Sequence, residues 1–400
     1  MSDVRPGPLS GVRVLDLTRV VAGPYCSMFL GDLGAEVIKV EQPGAGDDTR
    51  GWGPPFAGGE SAYYLCINRN KQSLTLDLKS KRAVELLREL VKATDVIIEN
   101  FRPGTMERLG LGEKELRELN PRLIYASLTG FGADGPMSDW PGYDLIVQAW
   151  GGLMSITGTP DGEPVKVGVA IIDLVAGLML GKAITAALFA REKIGVGQRI
   201  DTSLLEAEVA SLINVGSNYL VGGKVPTRWG NAHPNIVPYQ NFQTADGYLV
   251  IGVASEVIWK RFCAALGRRD LTNDPRFADN SKRVKNRSEL IAILSETFLQ
   301  QRNDAWFKLL TDAEVPCAPV QTIDQVFQAA QVLQRDMLIE VDHPTAGKVR
   351  MAGIPVKFSE TPATVRMPPP LLGEHNEQIL KTWLGMSADS LDELKKEKVI

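Results

Sequence analysis

An α/β fold built on a doubly wound parallel sheet, with a smaller α+β domain beside it, follows from three observations. Apolar strand-like runs alternate with amphipathic helical stretches through the first third of the chain. The turns after those runs are rich in glycine, proline and polar residues, as the ligand-binding edge of such a sheet is. At 400 residues the chain exceeds one typical core, and its texture changes after Trp229.

The elements follow in order. "VRVLDLT" (Val12–Thr18) is the first strand. "PYCSMFLGDLG" is a helix, with Pro24 near its start and Gly34 at its end. "EVIKVEQ" and "SLTLDL" are the next strands. "SKRAVELLRELVKAT" is a helix with Ala83, Leu86, Leu87, Leu90 and Val91 on one stripe. "DVIIEN" and "LIYASLTGF" complete a Rossmann-like alternation. No G-x-G-x-x-G follows the first strand, where the chain reads Ala22-Gly23-Pro24, so NAD is not expected. A long helix runs from Asp173 to about Arg191. The turn "KIGVGQ" leads into a second helix, "DTSLLEAEVASLINVGSNYL". "GYLVIGVA" is a strand, helices continue to about Phe327, and "LIEVDHPTAGKVRMAG" pairs two strands around a turn. The expected division is a large domain over 1–205, a helical linker over 206–227, a small domain over 228–327, and a return to the large domain over 328–400.

Hydrophobic residues make up 44% and charged residues 23%, the balance of a soluble globular protein. A net charge of −4 argues against a nucleic-acid surface. Cys26, Cys66, Cys263 and Cys317 lie far apart with no C-x-x-C, so they read as reduced thiols. His233, His343 and His375 are scattered, and no metal site is expected. The amino terminus shows no targeting pattern, which reads as cytoplasmic, or as mitochondrial matrix had a presequence been removed. The stretch Val167–Ala190 is long enough to span a membrane, but Asp173 and Lys182 fall inside it, so it reads as a buried helix.

Asp173 stands alone in "VGVAIIDLVAGLML". An unpaired buried carboxylate is costly. One reading is a helix N-cap. The other is a poorly solvated nucleophile toward an activated acyl group. The two are compatible. A second cluster, "PGYDLIVQAWGGLMSITGTPDG", brings Tyr143 and Asp144 after a Pro-Gly turn, with Gly151-Gly152 open to close approach; Tyr143 also reads as a packing residue. Two basic stretches, "NRNKQS" and "ENFRPGTMERLG", hold Arg69, Lys71, Arg102 and Arg108. They read as contacts for a phosphate-rich ligand or as solvated surface.

Together these stretches resemble the class III CoA-transferases, the CaiB/BaiF type. The resemblance rests on "GVRVLDLTRVVAGPYCSMFLGDLGAEVIKVE", "NRNKQSLTLDLK", "DVIIENFRPGTMERLGLG", "PGYDLIVQAWGGLMSITG", "VAIIDLVAG" and "GVGQRIDTSLLEA", in order along the whole chain. It implies that Asp173 is the nucleophile, with mixed-anhydride and aspartyl-CoA thioester intermediates, and that Tyr143 lies beside the reacting centre. It implies CoA contacts at Val20, Ala22, Lys71, Asn100, Phe101, Arg108 and Asp144, acyl-CoA and carboxylic acid substrates, no metal, and an interlocked-ring homodimer. Two departures stand out. Gln42 replaces a basic residue found in some members, and "GNAHPNIVPYQ" replaces a run of glycines, leaving His233 without a role.

The same family holds 2-methylacyl-CoA racemases, which pair the aspartate with a histidine where this chain has Tyr143. Racemisation needs two groups exchanging protons near neutral pH, so Tyr143 favours transfer. A non-catalytic CoA-binding protein is the third reading, and retention of Asp173 weighs against it. "PGAGDDTRGWGPPFAGGESAYYLCINRNK", "RWGNAHPNIVPYQNFQTADGYLVIG", "HPTAGKV" and "PPPLLGEH" are most similar to the succinyl-CoA:glutarate (hydroxymethylglutarate) branch. Dicarboxylates follow as expected substrates, with Arg19 and Arg228 as candidate partners for the carboxylate that does not react.

Overall fold

The computed structural model describes residues 5–400. The chain divides into two compact units. The first comprises the residues up to Leu153, Val167–Leu220 and Ala330–Ile400; the second comprises Met154–Lys166 and Val221–Ala329. Residues 154–166 therefore leave the expected large domain, and 206–220 stay with it.

The first unit is organised by six parallel strands: β1 (Arg13–Asp16), β2 (Glu36–Glu41), β3 (Lys71–Thr75), β4 (Val96–Glu99), β5 (Ile124–Thr129) and β6 (Arg199–Ser203). Their spatial order is β3-β2-β1-β4-β5-β6. The strand order reverses between β1 and β4, and a crevice opens there at the carboxyl ends. Side chains alternate between two cores. Leu15, Ile38, Leu74 and Ile97 face the layer that holds helix Lys81–Val91, whose buried residues are the five of the predicted stripe. Val14, Val37, Val96 and Ile98 face the opposite layer, with helices α1 (Ala22–Asp32) and α2 (Ile171–Ile194). Near-continuous burial of β2, β4 and β5 follows from helices on both faces.

One strand corrects the sequence reading. "DTSLLEAEV" does not continue as one helix from Asp201. Arg199–Ser203 is the edge strand β6, and Ser203 caps a separate helix, Leu204–Ser211, by accepting the Glu206 N–H at 3.1 Å. The alternating exposure of an edge strand, together with a serine N-cap, outweighs the helical pattern. At the other edge, Asn376 of the penultimate helix Asn376–Leu384 accepts from Thr75 N–H at 2.8 Å and covers β3.

Helix α2 is long and apolar enough to cross a membrane, yet half of it is buried inside this unit. Gly177 and Gly181 let α1 come close. A Cβ at Gly177 would meet Ala22 O at 2.5 Å, and one at Gly181 would meet the Phe29 ring at 3.2 Å. These small residues lie one and two turns beyond Asp173 on the same face, so the packing that hides α2 also brings the start of α1 beside that carboxylate.

The second unit carries a three-stranded antiparallel sheet of Tyr239–Gln243, Tyr248–Gly252 and Cys317–Pro319, covered by helices. Its core is aromatic, with Phe242, Trp259, Phe262, Phe277, Phe298 and Trp306 buried together. The hairpin Leu338–His343 with Gly347–Ala352 is antiparallel, as the sequence predicts, and belongs to the first unit.

Candidate active site

Asp173 lies within the first turn of α2 and is not its cap. The residue at the cap position, Ala170, offers no side-chain acceptor. Asp144 does that work from the neighbouring helix Asp144–Trp150. Its Oδ1 accepts the N–H of Ile172 at 2.8 Å and of Asp173 at 3.4 Å, while its Oδ2 accepts from Gln148. The N-cap reading of Asp173 is therefore corrected. Asp144 is held in place by the Pro-Gly turn before it, where Gly142 packs backbone to backbone on Gly130. A Cβ on Gly142 would fall 2.3 Å from Gly130 Cα.

With the helix amides taken, the Asp173 carboxylate has no hydrogen bond or ion pair to its side chain among the described residues, and it is 9% exposed. Burial, reinforced by the Asp144 charge, pushes its pKa up to about 7. A carboxylate held this way is basic and thinly solvated, the state in which it is most nucleophilic.

Asp173 lines a cleft of about 370 Å³ at the carboxyl edge of the sheet. Its walls include Arg19, Val20 and Ala22 after β1, Asn100 and Phe101 after β4, Gly130 after β5, and Tyr143. The strand-order reversal is bridged here: Arg19 N–H donates to Asn100 Oδ1 at 3.0 Å, and Asn100 Nδ2 donates to Arg19 O at 2.9 Å. The Arg19 guanidinium sits over the Phe101 ring at 5.7 Å and forms no ion pair among the described residues. Tyr143 is exposed at the mouth. Tyr63, packed edge-on against Trp52 at 5.2 Å, has its hydroxyl pKa raised by burial and then by the Asp173 charge. Sequence reasoning missed this aromatic pair, because only folding brings "RGWGPP" against "SAYYL" and Tyr63 within reach of the Asp173 charge.

A second cleft, of about 240 Å³, shares Arg19 and Phe101 with the first. It is lined by Leu17, Val40, Gln42, Leu76, Lys79 and Leu109. Lys79 is exposed there without an acidic partner among the described residues. The sequence points instead to Lys71, in the preceding strand, and the structure corrects it. Lys71 is fully buried, pairs with Asp16 at 3.2 Å, and donates to Pro24 O and Asn68 Oδ1. Its position inside β3 turns it under the sheet edge. Arg69 is likewise consumed by a two-pronged pair with buried Asp32, at 2.9 and 2.7 Å. Arg108 is exposed and donates to Thr105 Oγ1. Arg228 belongs to the second unit and spends its guanidinium on Thr159 O and Gly162 O, at 3.1 and 2.7 Å, so as placed it braces its own loop. His233, in the same unit, accepts the Asn235 N–H at 3.0 Å.

Residues 9–376 match the family described as CoA-transferase family III. The chain is 47% identical to a Mus musculus succinyl-CoA:glutarate CoA-transferase, over 97% of this chain and 89% of the relative. It is 44% identical to a succinate–glutarate CoA-transferase of Agrobacterium fabrum, over 94% and 96%. The crystal structure of a CAIB/BAIF family protein from Brucella suis superposes with a TM-score of 0.84 at 41% identity, covering 95% of this chain and all of that one. The chain, with its doubly wound sheet and a bare carboxylate at the carboxyl edge, thus belongs to CoA-transferase family III and is an enzyme of that class.

Proposed function

We propose that this enzyme exchanges CoA between dicarboxylic acids, with succinyl-CoA and glutarate as the substrate pair, and that Asp173 is its nucleophile. The observation that carries the reading is the Asp173 carboxylate: nearly buried, unpaired, and open to a cleft. It attacks the donor thioester, giving an aspartyl anhydride and CoA thiolate. The thiolate attacks the aspartyl carbonyl and releases the donor acid, leaving an aspartyl-CoA thioester. The acceptor carboxylate attacks that thioester, forming a second anhydride and freeing the thiolate. The thiolate then takes the acceptor acyl group and restores Asp173. One thioester replaces another, so the exchange requires neither ATP nor a metal.

Each step creates an oxyanion that aimed N–H groups stabilise. Val21 and Ala22, at the uncapped start of α1, offer such amides on the same cleft. Arg19 is the cation for the carboxylate that does not react. Lys79, in the adjoining cleft, is the cation for CoA phosphate, while Val20, Asn100 and Phe101 line the first cleft and Arg108, exposed after β4, is a further cation for CoA. Tyr143 and Tyr63 flank the reacting acyl group. The enzyme works as a soluble homodimer. Supporting that state, Ile213 and Leu220, at 71% and 81% exposure two turns apart on one helix, leave an aliphatic step that a second copy would cover.

The test is direct. Wild-type protein and Asp173→Ala are incubated with succinyl-CoA and a panel of carboxylic acids, and new thioesters are read by mass spectrometry. Glutaryl-CoA from the wild type alone is the expected result. Deuterium exchange into 2-methylacyl-CoA without any transfer would overturn the reading in favour of a racemase.

A further inference from the structure

The turn after β1 contains a conformational oddity. Val20 has φ +70°, a left-handed backbone that a β-branched residue seldom adopts. Such a conformation persists only where its surroundings enforce it. Here the polar groups that lead into the turn, from Thr18 to the Val20 N–H, are engaged. Thr18 N–H and its hydroxyl both donate to Asp16 Oδ1, at 2.9 and 2.5 Å. Thr18 O accepts from Lys39 Nζ at 2.8 Å. Both backbone groups of Arg19 are bonded to the Asn100 amide. Val20 N–H donates to Asp47 Oδ1 at 3.3 Å.

Asp47 comes from another segment, the loop after β2. Its Oδ1 also accepts the N–H and hydroxyl of Thr49, at 2.9 and 2.7 Å, and its Oδ2 pairs with Lys39 Nζ at 2.8 Å. Lys39 and Asp47 side chains are wholly out of water. Glu41 accepts the Asp47 N–H at 3.0 Å and grips Arg50 through two bonds of 2.7 Å, so the loop itself is pinned. The pair Lys71–Asp16 completes a buried set in which cations and carboxylates alternate beneath the turn. Such a set is a poor source of stability compared with apolar packing but a strong way to fix one geometry. Lys39, Asp47, Lys71 and Asp16 all lie outside the residues that line the cleft.

We propose that Asp47 is a positioning residue: backed by Lys39, it locks Val20 in the left-handed conformation, and the locked turn aims the free amides of Val21 and Ala22 at the group being transferred to Asp173. This inference rests on the transferase reading above. It assigns a function to buried charges that touch no substrate, and it explains why a valine is tolerated where glycine would be expected. The surrounding charges, not the residue, set the backbone.

The lock predicts coupling between positions 47 and 20. Asp47→Asn keeps an acceptor for Val20 and Thr49. Asp47→Ser keeps the cap on Thr49, since serine is a good N-cap, but is too short to hold Val20. In Asp47→Ser, kcat for succinyl-CoA to glutarate transfer is expected to fall roughly 30-fold, with KM for succinyl-CoA within about threefold, because aimed donors act on the transition state. Asp47→Asn is expected to lose about threefold in kcat, since the acceptor survives without its charge. Adding Val20→Gly to Asp47→Ser should restore kcat by roughly fivefold or more over Asp47→Ser, because glycine holds positive φ without a lock. Thermal melts establish that each protein is folded. Should Asp47→Ser not fold, the cycle uses Asp47→Asn, whose cost in kcat must be larger with Val20 in place than in the Val20→Gly background. Equal costs in the two backgrounds, or a loss carried only by KM, would overturn the proposal. A wild type without transfer activity would instead overturn the functional reading, which separates the two failures.

Discussion

The carboxylate of Asp144 caps the helix that carries Asp173, accepting the Asp173 N–H itself at 3.4 Å and that of Ile172 at 2.8 Å. The cap thus comes from a second helix, and the nucleophilic side chain is released from the local bond its position would otherwise invite. One acid spends its oxygens on structure so that the other keeps its oxygens for chemistry. Their charges also oppose one another, which helps to raise the Asp173 pKa to about 7.

That value sets the pH dependence. Attack requires the ionised form, so kcat/KM for the acyl-CoA donor should rise with pH through about 7 and level above it. Asp144→Asn removes the opposing charge and should move the midpoint to lower pH, while burial keeps it above the ordinary carboxylate value. A pH-rate profile of both proteins checks this. An unchanged midpoint would mean that Asp144 acts through geometry alone.

The same shift has a stability consequence with a definite sign. Asp173 binds its proton more tightly when folded, so below about pH 4 it costs nothing. Between about pH 4 and 7 the folded state holds more protons than the unfolded one, and stability falls as pH rises. Asp173→Asn should therefore be more stable than wild type at about pH 8, by on the order of 4 kcal/mol, and match it near pH 4. Calorimetry at the two pH values is the measurement.

Lys71 and Lys79 should separate cleanly. Lys79→Ala removes an exposed cation from the second cleft, and KM for succinyl-CoA is expected to rise roughly 10-fold without a change in melting temperature. Lys71→Met leaves Asp16 buried without its nearest cation, so the melting temperature should drop, in line with a loss of about 3 kcal/mol. Steady-state kinetics and thermal melts on both variants would expose an exchange of these roles.

Gly177→Ala tests the approach of α1. The added methyl would lie 2.5 Å from Ala22 O, so the start of α1 must shift. A loss of about 1–3 kcal/mol is expected, together with a lower kcat, because the displaced segment holds the amides beside Asp173. Gly195→Ala, at the left-handed far end of the same helix (φ +78°), strains the backbone without touching α1, so it should cost stability but leave kcat unchanged.

Arg19→Gln should raise KM for glutarate roughly 10-fold or more while leaving a monocarboxylic acceptor of similar length little affected. A uniform loss across acceptors would assign Arg19 to CoA, and no loss would remove it from the site.

Much of this protein was legible in its sequence. Five of the six sheet strands, the stripe on Lys81–Val91 and the glycine-rich carboxyl edge follow from periodicity and turn chemistry, because each is a local pattern with a local cause. Asp173 stood out because an isolated charge in an apolar run needs an explanation. The sixth strand, Arg199–Ser203, was hidden because its exposed edge leaves little apolar signal. What the sequence could not decide was which charges meet. Lys71, Arg69 and Arg228 have the composition of anion binders, yet Asp16, Asp32 and two backbone carbonyls claim them. Lys79, Tyr63 and Asp47 carry no local mark at all. Pairing of charged groups depends on distances across the fold, and burial multiplies the strength of each pair, so tertiary structure alone determines which cations are spent on the protein and which remain for a ligand.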